Sequence, residues 1–238
     1  MIKTIVTGHS RGLGAAIAHT LLAQGLPVLG VSRHPAPEQP GLSQVALNLA
    51  DASAVIAWLA TPALADWLAD ASAVWLINNA GQVQPIAALG EQDPAAIAQA
   101  VSLNVTAPLL LSNAVLAASR HCVERRIMHV SSGAARHAYP GWSVYCATKA
   151  ALDQHALAVA AERHTGVRVV SLAPGVIDTD MQGEIRAASI EQFPLRQRFD
   201  ALKADGHLTS PQACAEQLAA ALAHPGFGEV TLTDLRQS

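Results

Sequence analysis

The chain is short of the residues that make staples, metal cages and charged surfaces. Its three cysteines, Cys122, Cys146 and Cys214, are too few and too scattered in 238 residues for a disulfide framework or a CxxC metal site. Ten histidines show no HExxH or comparable spacing, so they read as surface or satisfied core residues, and no metal is expected. Charged residues make up only 14% and the formal net charge is −3, which removes any general electrostatic reason to bind nucleic acid or an anionic membrane. Phosphate recognition, if present, must be local. Long hydrophobic runs are also missing, since Pro, Gly or polar residues interrupt them. With a first strand expected from Ile2, no signal or transit segment is expected before it, and the expected location is the cytoplasm.

What remains is a chain with much apolar surface to bury. Hydrophobic residues are 51% of it, and an α/β chain of this length commonly forms one domain, here expected to span 1–238. Ile2 to Thr7 is a β-branched run closed by Gly8, and apolar residues recur at helical spacing from Gly12 to Gln24, where Gly25 ends them. Strands are expected at Pro27–Val31, Gln44–Leu47 and Val74–Ile77, with a helix from about Asp51 to Leu68 between the last two. Beyond Pro94 an Ala/Leu-rich helix should run to about Ser119, then a strand at Arg126–Val130, a helix at Val144–His164 and a strand at Val167–Leu172. Ser210-Pro211 starts a last helix, and Glu229–Thr233 reads as the last strand. Pro174 to Ser210 has weaker periodicity and holds Gly183, Pro194 and Gly206, which suits a mobile helical excursion, with 176–206 as its substrate loop. This alternation predicts a Rossmann-like, doubly wound parallel sheet with helices on both faces.

The run Thr7-Gly8-His9-Ser10-Arg11-Gly12-Leu13-Gly14 falls at the end of the first strand and the start of the first helix. Gly8 permits a tight turn, Gly12 lets backbone approach a pyrophosphate, and Gly14 allows close packing, while the free N–H groups of the helix start face the anion. The spacing is GxxxGxG and predicts a dinucleotide site. NAD-specific sites carry Asp or Glu about 20 residues on, against the adenosine ribose. Here the second strand ends Val31-Ser32-Arg33, with no carboxylate. A carboxylate would repel a ribose phosphate, whereas Arg33 and Arg11 can pair with one, so NADP(H) is the expected cofactor. The lesser alternative is that both arginines are solvated surface charges. Asn79-Ala80-Gly81, at the end of the fourth strand, is a weaker turn signal that would bring backbone near the same ligand.

Tyr145 and Lys149 form YxxxK near a helix start, so their spacing puts both on one face. With two tyrosines and three lysines in the chain, chance pairing is improbable. A phenol is a poor acid–base group near neutrality, and a neighbouring ammonium is expected to lower its pKa. Ser131-Ser132-Gly133 follows the strand ending at Val130, and Ser132 is the expected hydroxyl for a substrate oxygen. Asn104 is a polar residue inside an apolar run, which taken alone is more often a structural amide.

These motifs together resemble the short-chain dehydrogenase/reductase family across nearly the whole chain. The resemblance implies a catalytic tetrad of Asn104, Ser132, Tyr145 and Lys149, with Lys149 also on the nicotinamide ribose and Asn104 holding a water. It further implies cofactor contacts from Asn48 and Leu49 after the third strand and from Pro174, Gly175, Val176, Ile177 and Thr179 of a PGxxxT-like segment. Asn48 stands where the family usually has Asp. Three stretches, Gly141 to Ala147, Ala173 to Gln182 and Leu202 to Gly206, are similar to the sepiapterin reductase and benzil reductase-like group, whose members use NADPH and are often homodimers. In that comparison Thr231 falls where sepiapterin reductases anchor the pterin with a carboxylate.

The expected activity is reduction of a small, uncharged ketone or vicinal diketone. Its pocket would be largely apolar, drawn from the loop at Ala138–Trp142 and the excursion, with Ser132 and Tyr145 as converging polar groups and no charged clamp. His137, Tyr139 and Trp142 can serve loop packing or substrate contact, and Cys146 reads as core. Arg186, Arg196 and Arg198 read as solvated. Alternatives are a pterin carbonyl reductase, an epimerase or dehydratase on the same fold, and an NADP-sensing or scaffold protein without chemistry.

Overall fold

Among the residues described by the computed structural model, 1–237, the apolar runs assemble into one seven-stranded parallel sheet. The strands are β1 (Ile2–Thr7), β2 (Val28–Ser32), β3 (Leu42–Ala46), β4 (Ala73–Asn78), β5 (Glu124–Val130), β6 (Val167–Ala173) and β7 (Leu232–Asp234), in the order β3-β2-β1-β4-β5-β6-β7. Successive residues of the central strands face opposite cores, as a two-residue period requires. Ile5, Leu76, Ile127 and Val169 join one core, and Val6, Ile77, Met128 and Val170 the other. Helices α1 (Gly12–Ala23) and α9 (Pro211–Ala223) cover the second core, and Ser210 caps α9 by accepting from Ala213 N at 3.1 Å. On the other face lie α2 (Ala52–Leu59), α3 (Ala63–Leu68), α5 (Ala107–Ala118) and α6 (Ser143–Ala161). This is the expected doubly wound, Rossmann-like fold.

Several elements differ from the sequence reading, each for a local reason. The single helix expected from Asp51 to Leu68 is two, because Pro62 interrupts it and restarts the chain as α3. The long helix from Pro94 is α4 (Pro94–Val101), a π-helical turn (Ser102–Thr106) and then α5. Pro108 has no N–H to close an α-helical bond onto the carbonyl of Asn104, so the wider turn falls where that bond is missing. Pro94–Ala118 is long and apolar enough, by length and composition alone, to cross a membrane, yet its Leu111 and Val115 are buried in the core that covers one face of the sheet. The last strand starts at Leu232 rather than Glu229, because Glu229 N donates to Gly226 O and closes a turn.

The excursion after β6 holds α7 (Asp180–Ala187) and α8 (Arg196–Ala204). Its two ends are clasped. Asp178 N donates to Thr209 O at 2.9 Å, and Thr209 N to Val176 O at 3.0 Å. Lys203 Nζ adds an ion pair to Asp178 at 2.6 Å. The excursion thus folds back over the carboxyl ends of the strands, where open α/β sheets bind ligands.

Candidate active site

One cleft of about 680 Å³ runs along the carboxyl ends of the strands, across the point between β1 and β4 where strand order reverses. Every residue assigned to the cofactor from the sequence lines it, from the glycine turn through Ser32, Arg33, Asn48 and Leu49 to the Asn79-Ala80-Gly81 and Pro174–Thr179 segments. The glycine turn has little room to vary. Gly8 and Gly12 have φ of +69° and +54°, and a Cβ on Gly14 would lie 2.1 Å from the Gly8 carbonyl oxygen. Gly14 therefore closes the turn upon itself, besides letting α1 sit close to the sheet. Thr7 ties the turn to β4: its Oγ1 accepts from the N–H groups of Asn79 and Ala80, each at 2.9 Å, and its carbonyl accepts from Asn79 Nδ2 at 2.9 Å.

Arg11 and Arg33 both stand on the rim at this end. Arg11 is 69% exposed and makes a loose ion pair with Asp180 at 3.4 Å, while Arg33 has no ion-pair partner among the described residues. No carboxylate lines the cleft beside Arg33 on β2 or β3. The glycine cradle and the helix start fit the pyrophosphate of a dinucleotide.

At the other end, α6 presents Tyr145 and Lys149, 8% and 5% exposed, and β5 delivers Ser132 through a turn in which the Ser132 hydroxyl accepts from Ala134 N at 3.1 Å. Burial pushes the Tyr145 phenol up to about 12, with the Ser132 hydroxyl pulling the other way. Burial likewise brings Lys149 down to about 8, opposed by Asp153. The expected net lowering of the Tyr145 pKa is thus not met, because desolvation of the phenol outweighs the pull of the nearby ammonium. The ammonium lies 5.8 Å from the phenol ring centroid and donates to Val130 O at 2.7 Å, so desolvation of the phenol dominates. Burial therefore keeps Tyr145 protonated.

Asn104 does not line the cleft. It sits beneath, in the π turn, accepting from Gln82 N at 2.9 Å and donating to Gln82 O at 2.8 Å and Thr148 Oγ1 at 3.1 Å. It braces the strand-end loop against α6, which is how the structure uses the amide.

The substrate end is walled by aromatic residues. Trp142 stacks on Phe193 at 4.5 Å, meets Tyr145 edge-on at 5.4 Å and touches Tyr139 and Phe199. It is both core and wall, and so serves packing and lining together. His137 does not line the cleft, and the Cys146 thiol points to the His137 carbonyl. Thr231 also lies outside it, holding β6 through Ser171 N. Besides Arg11 and Arg33, two further arginines line it: Arg198, exposed at the rim in keeping with its reading as a solvated residue, and Arg236, which the sequence reading passed over. Nothing in the sequence pattern around Arg236 signals the cleft. Only the position of β7 beside β6 does.

Beneath the catalytic helix a charged network is buried. Asp153 Oδ1 accepts from Ser131 Oγ at 2.7 Å and Ser171 Oγ at 2.6 Å, and its Oδ2 pairs with Arg136 Nε at 3.0 Å. Arg136 reaches on to Thr233 O at 3.1 Å. One carboxylate therefore joins α6 to β5, β6 and the turn that follows Ser132.

Comparison with known proteins agrees with this geometry. The short chain dehydrogenase family model matches residues 3–190. The chain is 33% identical to a benzil reductase ((S)-benzoin forming) of Bacillus cereus, over 98% of this chain and 100% of that one, and 33% identical to a sepiapterin reductase of Meriones unguiculatus, over 90% and 88%. A solved short-chain dehydrogenase/reductase from Burkholderia vietnamiensis is 50% identical with a TM-score of 0.72, covering 80% of this chain and 93% of that one. With a seven-stranded Rossmann-like sheet, a glycine cradle and a Tyr-Lys pair in one cleft, this chain belongs to the short-chain dehydrogenase family of oxidoreductases.

Proposed function

We propose that the protein is an NADPH-dependent carbonyl reductase that converts a small uncharged ketone or vicinal diketone to the alcohol, with Tyr145 as the acid. The observation that carries this reading is a buried, protonated phenol beside Ser132 and Lys149 at the apolar end of a cleft whose far end bears Arg11 and Arg33. Bound NADPH supplies the hydride. The glycine turn and the helix start hold the pyrophosphate, Arg11 and Arg33 the ribose phosphate, Lys149 the nicotinamide ribose, and the Val176–Thr179 segment the carboxamide. Ser132 holds the substrate carbonyl oxygen, and the Tyr145 hydroxyl passes its proton to that oxygen as charge develops there. Lys149, an ammonium below its pKa of about 8, stabilises the phenolate that remains. Trp142, Phe199 and the α7–α8 excursion exclude water from the reacting carbon. The similarity to a benzil reductase supports a diketone as substrate. The working form is a homodimer through the outer faces of α4–α5 and α6.

The test is a panel of ketones, vicinal diketones and sepiapterin, followed by NADPH absorbance and repeated with NADH. The expected result is stoichiometric oxidation of NADPH with a diketone, higher kcat/KM for NADPH than for NADH, and at least about a hundredfold lower kcat in Tyr145→Phe with NADPH binding retained. No net oxidation on the panel, or a preference for NADH, would overturn the reading.

A further inference from the structure

The cleft contains a guanidinium that no step above uses. The stem of Arg236 lies across Gly175, where a Cβ would sit 3.6 Å from both its Cγ and its Cδ. Its head reaches Gly133, the residue after Ser132, where a Cβ would sit 3.5 Å from Arg236 Nη2 and 4.0 Å from the Tyr139 hydroxyl oxygen. Arg236 therefore spans the carboxyl ends of β6 and β5, and two glycines leave the room it occupies. The position is set from below. Asp234, 9% exposed at the end of β7, accepts from Arg236 Nε at 2.9 Å through one oxygen and from Nη2 at 2.5 Å through the other.

That pair decides what the guanidinium can bind. Its Nε/Nη2 fork, the edge that would grip a carboxylate bidentately, is taken by Asp234, and the same carboxylate offsets its charge. Nη1 makes no hydrogen bond to a described residue and remains as a donor, and the Tyr139 hydroxyl stands on the same side of Gly133 as the guanidinium. One neutral oxygen fits there better than an anion. The chain places this donor pair one residue from the hydroxyl that holds the reacting oxygen.

We propose that Arg236, with Tyr139, forms a subsite for a second carbonyl oxygen vicinal to the one being reduced, and so selects 1,2-dicarbonyl compounds over matched monoketones and over 2-oxo acids. This rests on the carbonyl reductase reading and names its substrate class. Arg236 is a specificity residue. It takes no part in hydride or proton transfer.

The test compares benzil with deoxybenzoin, which has the same two phenyl groups and lacks one carbonyl, in wild type, Arg236→Lys and Arg236→Met. Lysine keeps a cation for Asp234 but lacks the outer donor edge, so it decides the matter if the methionine variant fails to fold. The ratio of kcat/KM for benzil to that for deoxybenzoin should fall about tenfold in both variants, the scale of one lost hydrogen bond. An unchanged ratio in Arg236→Lys overturns the proposal, as does a wild-type preference for benzoylformate over its methyl ester. If wild type reduces neither compound, the reductase reading fails instead. Titrating the two compounds into NADPH-loaded protein then reads the same ratio as binding, where a tenfold fall supports the subsite and no change refutes it.

Discussion

The Tyr145–Lys149 pair shows how burial sets the working state of single residues. Burial opposes charge on both, and it holds the phenol protonated while making the ammonium easy to lose. The sign of the pH dependence follows. Lys149 is charged below its pKa of about 8 and neutral above it, so the stabilising cation is present at neutrality and disappears as pH rises. The value of kcat/KM for NADPH, which reports the free enzyme, should be level below about pH 7 and fall with a midpoint near 8. Asp153 raises the Lys149 pKa, so Asp153→Asn should move that midpoint to lower pH. A profile that stays level to about pH 10, near the unperturbed lysine value, would show that burial does not bring Lys149 down to about 8 in the working protein or that its charge is not needed. The pairing itself was legible in the sequence from spacing. Its electrostatics were not, because spacing places an ammonium near a phenol without revealing that Lys149 turns to the Val130 carbonyl.

At the scale of elements, catalytic geometry depends on how α6 is fixed to the sheet. Asp153 is the fixing point, with Ser131, Ser171 and Arg136 converging on a carboxylate whose side chain is 8% exposed. Removing it in Asp153→Ala strands two hydroxyls and a cation, and should cost about 3 kcal/mol in urea denaturation. A loss below about 0.5 kcal/mol, the scale of an ordinary surface substitution, would show that the network is dispensable. Most elements could be placed from the sequence because glycines and period-two runs are local signals. The exceptions are instructive: Pro62 and Pro108 were visible, but neither the break after α2 nor the π turn at Asn104 was drawn from them. The Asp153 network escaped because its members are far apart in sequence and only the parallel order of β5 and β6 brings Ser131 and Ser171 beside α6.

For the whole molecule, α4, α5 and α6 leave an outward face that includes Val101, 42% exposed, and Leu157, 41% exposed. Two copies joined there by a twofold axis would cover both patches at once, as self-complementary interfaces do. Light scattering at micromolar concentration should give twice the chain mass, and replacing Val101 and Leu157 together with glutamate should return it to one. A single-chain mass for the wild-type protein would refute this. The cofactor end of the cleft could be assigned from consecutive residues, whereas the substrate end draws on Tyr139, Phe199 and Arg236, which only the folded chain brings together. The clasp between Val176 and Thr209 bears on how the fold can vary. Because the excursion leaves and rejoins the sheet at one point, its interior can lengthen, shorten or change its side chains while the nucleotide cradle keeps its shape. The same scaffold can therefore take a different molecule at its α7–α8 end without rebuilding the glycine turn at the other.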